Sequence, residues 1–365
     1  GDQAFEKCCD LLTISIPHGV KEIEEAAFAK CTNLNSVVIS KGVEKIKISV
    51  FQECSQLKLI SIPNSLKELE AGVFIGCTNL TSISLPDSVQ KIDKCVFGKC
   101  TSLVSIVLPP LIKKIEAQVF QECKGLTSIT IPDFVEEIGR YAFGKCSKLT
   151  SITIPNSVKV IEMQAFMDCE SLTSIELPNS INEIAESTFE GCTSLISVRI
   201  PELVIRIGDG AFMNCNSLTS IVIPKSVKKI GDWAFKGCCN LSSIVIPEQV
   251  KEIGQEAFKE CTNLNFVVIS DGVETISNDV FCQCVSLTSV IIPDSVKEIW
   301  GAAFRGCVGL TSITISNSVK IIRSALFSGC TNLTDVIIPN SITEIDYCAF
   351  SGCIGLTSIK IPNSV

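Results

Sequence analysis

A chain of 365 residues has room for two or three globular domains, and its 46% apolar and 19% charged content excludes a disordered polymer. The formal charge of −8 argues against a nucleic-acid phosphate backbone as the main partner. No apolar run is long enough to span a bilayer, and the opening GDQAFEKCC lacks a secretory-signal pattern, so no transmembrane segment is expected.

A fixed period overrides the domain count. Steps of 23 residues from Phe5 land on Phe28, Phe51, Phe74 and so on to Phe350, with no insertion. Only Phe134 and Phe266 fall outside this column. Self-similarity at such a spacing means a solenoid. Residues 1–365 are therefore expected to form a single repeat domain of sixteen coils.

With Phe as position 0, each coil reads the same way. Position +3 is Cys and +6 is Leu throughout, from Cys8 and Leu11 to Cys353 and Leu356. Positions +9 and +11 are β-branched or Leu around a polar or small residue, as in Ile152-Thr153-Ile154. That period of two predicts a short strand with both isoleucines inward. Pro at +12 ends the strand, because it has no N–H to give a ladder. Asn156-Ser157 and its equivalents make a turn. Val158 to Ile161 is a second short extended piece. Ala165, Phe166, Cys169 and Leu172 follow at spacings of one, three and three, which predict one helical or 3₁₀ turn. About eight inward apolar side chains per coil do not offset the ordering of 23 backbone residues, so a coil folds only by stacking on its neighbours.

The pattern L-x-x-I-x-I-P, a turn, V-x-x-I and A-F-x-x-C resembles the BspA-like, treponemal-type leucine-rich repeats over the whole chain. The resemblance implies a mainly β, right-handed leucine-rich-repeat solenoid with short helical or 3₁₀ turns and a parallel sheet on one face. It also implies protein binding, in a family common among surface proteins and adhesins of bacteria and parasitic protozoa. It carries no catalytic residues and names no ligand. A longer copy lies inside the short one: CTNLNSVVISKGVEKI from Cys31 returns as CTNLNFVVISDGVETI from Cys261. The array grew by duplicating a block of coils.

Chemistry finds little purchase. The single histidine, His18, sits in a turn and reads as solvated. There is no phosphate loop, no Cys/His zinc spacing and no inserted loop to carry a site. The expectation is no enzyme, no cofactor and no metal. Glu22, Glu137, Glu183, Glu252 and Glu298 recur at outer positions as a solvated face. Of the 21 cysteines, the +3 column reads as small buried packing residues, and the strays Cys9, Cys95, Cys239, Cys282 and Cys348 do not form paired spacings. The sequons at Asn79, Asn240 and Asn332 read as repeat consensus.

Two functions fit. One is a surface recognition or adhesion protein; the other is an intracellular scaffold or regulator that binds an enzyme such as a protein phosphatase. The resemblance favours the cell surface, and unpaired thiols favour a reducing cytoplasm. Neither end carries a polar capping repeat, so the chain is expected to belong to a longer array or to have an end covered by another copy.

A binding surface is expected where +10 points out of the main strand. Four consecutive coils place Val222, Val245, Val268 and Ile291 there, with Phe266 beside them at +8, where most coils carry Ser. Glu176 and Arg199 occupy +10 in the two preceding coils. A protein partner, or a second copy of the chain, is expected to dock on this strip.

Overall fold

The alternation at +9 to +11 does produce a strand in nearly every coil, and it is short. Ser151–Thr153 buries Ile152 and exposes the residues on either side. Strands of adjacent coils run parallel with a register of one repeat, so Ser128, Ile129 and Thr130 face Ser151, Ile152 and Thr153. Proline then closes a turn instead of extending the ladder: Val158 N donates to Pro155 O at 3.2 Å. The turn serine explains the Asn-Ser consensus, because Ser157 Oγ donates to Val135 O of the preceding coil at 2.7 Å. Position +17 and +18 form a second parallel ladder of two-residue strands, as in Lys114–Ile115, Glu137–Ile138 and Val160–Ile161.

This computed structural model describes residues 1–365. They divide into two compact units, Gly1–Ile181 and Asn182–Val365. Each is a leucine-rich-repeat solenoid of the same coil. In the first, the main strands Thr13–Ile16, Ser36–Ile39 and Leu59–Ser61 pair in order. In the second, Ser243–Ile246, Phe266–Ile269 and Ser289–Ile291 do the same.

The third side of the coil corrects the sequence-based expectation, since no helix of either kind forms there. The backbone instead makes successive reverse turns: Gly144 N donates to Tyr141 O, Cys146 N to Phe143 O and Leu149 N to Cys146 O. Between them Tyr141 and Lys145 take the left-handed conformation, with φ of 54° and 62°. That reversal swings alternate peptides along the solenoid axis. Phe143 N then donates to Ala165 O at 2.9 Å and Lys145 N to Met167 O at 2.7 Å, both on the next coil. A 3₁₀ turn would use those N–H groups inside the coil. Turn and helix share the three-residue spacing, so apolar periodicity does not separate them. The left-handed residues cost about 1–2 kcal/mol each, which the inter-coil bonds offset by satisfying backbone groups that would otherwise be buried unpaired.

The core is a set of columns. Phe143 and Phe166 stack with ring centroids 5.5 Å apart and planes within 3°. In the second unit Phe235 and Phe258 stack at 5.2 Å. Beside them runs the cysteine column. Cys146 Sγ donates to Phe120 O at 3.1 Å, and Cys261 Sγ to Phe235 O at 3.2 Å. Burial pushes these thiols above their ordinary range; Cys54 and Cys100 rise to about 12. The outer ladder is charged, and much of it is paired across coils. Lys114 Nζ lies 2.6 Å from Glu137, Lys47 lies 2.9 Å from Glu22, and Arg206 lies 3.1 Å from Glu183. Glu252 accepts a hydrogen bond from Ser277.

Candidate protein-docking surface

On the main strand inward and outward residues alternate, so +10 is displayed by the ladder itself. Val222 is 80% exposed, Val245 56% and Ile291 59%. Val268 is half-buried between its neighbours. The register aligns Val245, Val268 and Ile291 across three strands, and Arg199 directly beside Val222. The four aliphatic residues line one groove of about 1000 Å³. Its edge is formed by Pro224, Pro247 and Pro293 and by the turn residues Glu202, Lys225, Glu248 and Asp271.

Phe266 lies on the same face, 42% exposed, and pairs in register with Ser243 and Ser289. It flanks the groove and does not line it. Arg199 opens onto a smaller adjoining recess of about 380 Å³ that it shares with Glu202 and Val222. Glu176 is exposed at the end of Ser174–Glu176, in the first unit.

A second groove, of about 630 Å³, lies on the main-strand face of the first unit. Val107 and Phe134 line it, and they are 82% and 63% exposed. The sequence-based strip does not include them. Phe134 departs from the column and carried the signal, but it sits at +14 in the turn, outside the strand positions used to define the strip.

The strip is graded in polarity from its centre outward. Its floor is aliphatic, its edge is polar, and an exposed aromatic stands beside it, the composition of a desolvated interface centre with a wet rim. His18 is exposed in its turn. Of the sequon asparagines, Asn79 donates to Gln56 and Asn240 accepts from Asn263, so both belong to cross-coil side-chain ladders.

A family model of the BspA type leucine rich repeat region (six copies) matches residues 1–127, 68–195, 113–238, 183–311 and 298–365. The chain belongs to the BspA-type leucine-rich repeat family. A solved leucine-rich repeat protein of Bacteroides ovatus is 32% identical, with a TM-score of 0.80, over 94% of this chain and 85% of that one. A leucine rich cell surface protein of Faecalibacterium prausnitzii is 26% identical, with a TM-score of 0.53, over 89% of this chain and 86% of that one. The pneumococcal vaccine antigen PcpA shares the fold at 19% identity and a TM-score of 0.52, over 81% of this chain and 85% of that one. No curated protein matches the sequence. BspA-type coils thus account for the Phe, Cys and Leu columns together. No helix is long and apolar enough to cross a membrane.

Proposed function

We propose that the chain is a non-enzymatic, protein-binding solenoid of the surface recognition or adhesion type, and that it docks its partner on the main-strand face around Val222, Val245, Val268 and Ile291. The observation that carries this reading is the groove: four aliphatic side chains from successive coils line one open surface of about 1000 Å³. Folding does not need them there, since most other coils place Ser, Thr or a charged residue at the same position. The Faecalibacterium relative is a cell surface protein, which supports the surface reading over the intracellular one.

The test compares wild-type protein with Phe266→Ser and Val268→Lys in partner capture and in sedimentation. Both substitutions are expected to reduce binding while moving the melting temperature little, because the side chains lie on the exposed face. Capture and self-association that ignore both substitutions would remove this face from consideration.

A further inference from the structure

We propose that the strip from Val222 to Ile291 receives a cationic amphipathic helix of a partner protein. The inference rests on the strip being the docking surface and adds the chemistry of its occupant. Shape is the first ground. The floor offers one aliphatic residue per coil, Val222, Val245, Val268 and Ile291, and strands stack about 4.8 Å apart. A helix laid across the strands offers one apolar side chain per turn, every 5.4 Å or so. Over three steps it stays within roughly 2 Å of the coils. An extended segment laid the same way offers side chains on one face about every 6.8 Å, and over the same three steps falls out of step by about 6 Å. The face from +8 to +13 is roughly 16 Å across at about 3.3 Å per residue, wide enough for a helix about 10–12 Å in diameter.

Charge is the second ground. Along one edge the turn residues at +13 are Glu202, Lys225, Glu248, Asp271 and Asp294, all exposed. Along the other edge Thr219, Ser242, Asn265 and Thr288 carry no charge. At +16, between that turn and the outer ladder, Glu274 is paired with Lys251 and Lys297, and on the ladder itself Glu183 is paired with Arg206. Glu202, Glu248 and Asp271 form no such ion pair; Asp294 accepts weak bonds from Ser316 and Asn317. A row of solvated, unmatched carboxylates beside an apolar floor repels an acidic ligand and pairs with lysine or arginine flanking an apolar face. Lys225 breaks the row near one end, so one acidic residue on the partner would set the direction of the helix.

The test uses four fluorescein-labelled peptides with the same leucine face at helical spacing. Three carry Lys, Gln or Glu on the flanks, and the fourth is the Lys peptide with a central proline. Anisotropy titrations with wild-type protein should rank Lys at least about tenfold tighter than Gln, Glu and the proline peptide, with the advantage shrinking as salt rises. The double variant Glu248→Lys/Asp271→Lys should invert the Lys and Glu ranking, and Val268→Lys should abolish binding of both. Equal binding of the Lys, Gln and Glu peptides, still lost in Val268→Lys, would overturn the cationic assignment and leave the docking face standing. Equal binding of the proline peptide would overturn the helix. Binding of the Lys peptide that survives both Val268→Lys and the charge reversal would place it elsewhere and overturn the docking face as well. No binding by the Lys peptide would also overturn the proposal.

Discussion

The thiol of Cys146 donates to the carbonyl of Phe120 on the preceding coil at 3.1 Å, and that carbonyl also accepts the N–H of Cys123 at 3.0 Å. The column is therefore a chain of weak donors between coils as well as a packing column. A hydroxyl placed at this position has an acceptor within reach, although its shorter bond to Cβ leaves it farther away. Cys146→Ser should cost about 1–2 kcal/mol, less than a fully unpartnered buried hydroxyl. Urea denaturation of the two proteins measures the difference. A loss well above about 3 kcal/mol would mean the hydroxyl finds no partner.

Alkaline stability should be governed by the same column. Burial raises the thiols of Cys54, Cys100 and Cys330 to about 12, and also holds Cys77, Cys123 and Cys261 well above their ordinary range. In the unfolded chain they titrate at about 8.5. A group with a folded pKa raised above its unfolded value contributes stability that is complete below the unfolded pKa and is lost as pH rises. Each thiol then withdraws about 1.4 kcal/mol per pH unit. With so many acting together, cooperative unfolding is expected between about pH 9 and 11. Circular dichroism against pH should show the transition moving upward when three column cysteines become alanine, provided stabilities are compared relative to each variant at pH 7. A transition that stays in place would assign alkaline unfolding to the lysine ladder instead.

On the acid side, one carboxyl pair behaves differently from the rest. The hydrogen bond between Glu162 and Glu137 pushes Glu162 up, with burial adding to it. The same bond, together with Lys114, holds Glu137 below the usual range. Glu162 therefore favours the folded state when protonated, and its contribution falls as pH rises through its raised pKa. Glu136 and Glu274, held down by their lysine partners, contribute above the ordinary carboxylate range and lose that contribution as pH falls. Glu162→Gln supplies a permanent donor to Glu137 and can still accept from Arg140 N, now 2.7 Å from the carboxylate. It should raise the melting temperature at pH 7, and the gain should shrink towards pH 4. A gain that persists unchanged at pH 4 would show that the shared proton is not its source.

How much of this could be read from residue order differs by position. The strand and its exposed +10 row followed from Ile152-Thr153-Ile154, because a period of two has one structural meaning. Ala165, Phe166, Cys169 and Leu172 did not separate a 3₁₀ turn from linked reverse turns, since both place every third residue on one side. The deciding feature is the left-handed backbone at positions such as Tyr141 and Lys145, whose own side chains give no warning; the place of Lys145 is a left-handed glycine in six other coils, from Gly76 to Gly352, and that recurrence was the signal in the residue order. The strip from Val222 to Ile291 was visible because its four residues share one position. The acidic edge was not singled out, because its meaning depends on which carboxylates already have a lysine across the coil. Phe134 was visible as an exception, but its place beside Val107 depends on how the turn folds over the strand.

Close packing between coils gives the last prediction. At +19, Gly208, Gly231 and Gly254 lie in consecutive coils of the second unit, where other coils carry larger residues such as Glu70 and Glu116. A Cβ on Gly254 would run into the carbonyl carbon of Gly231. The obstacle is backbone on an adjacent coil, so relief requires the coils to separate, not a side chain to rotate. Gly254→Ala should cost about 1–3 kcal/mol through overpacking. Gly98 is the control: a Cβ there meets its nearest atom at 3.4 Å, an ordinary contact, and its backbone is not left-handed. Gly98→Ala should leave stability within about 0.5 kcal/mol of wild type. Parallel denaturant titrations of the two variants give the comparison. If Gly254→Ala is as well tolerated as Gly98→Ala, the coils at Gly231 and Gly254 have slack that this spacing denies.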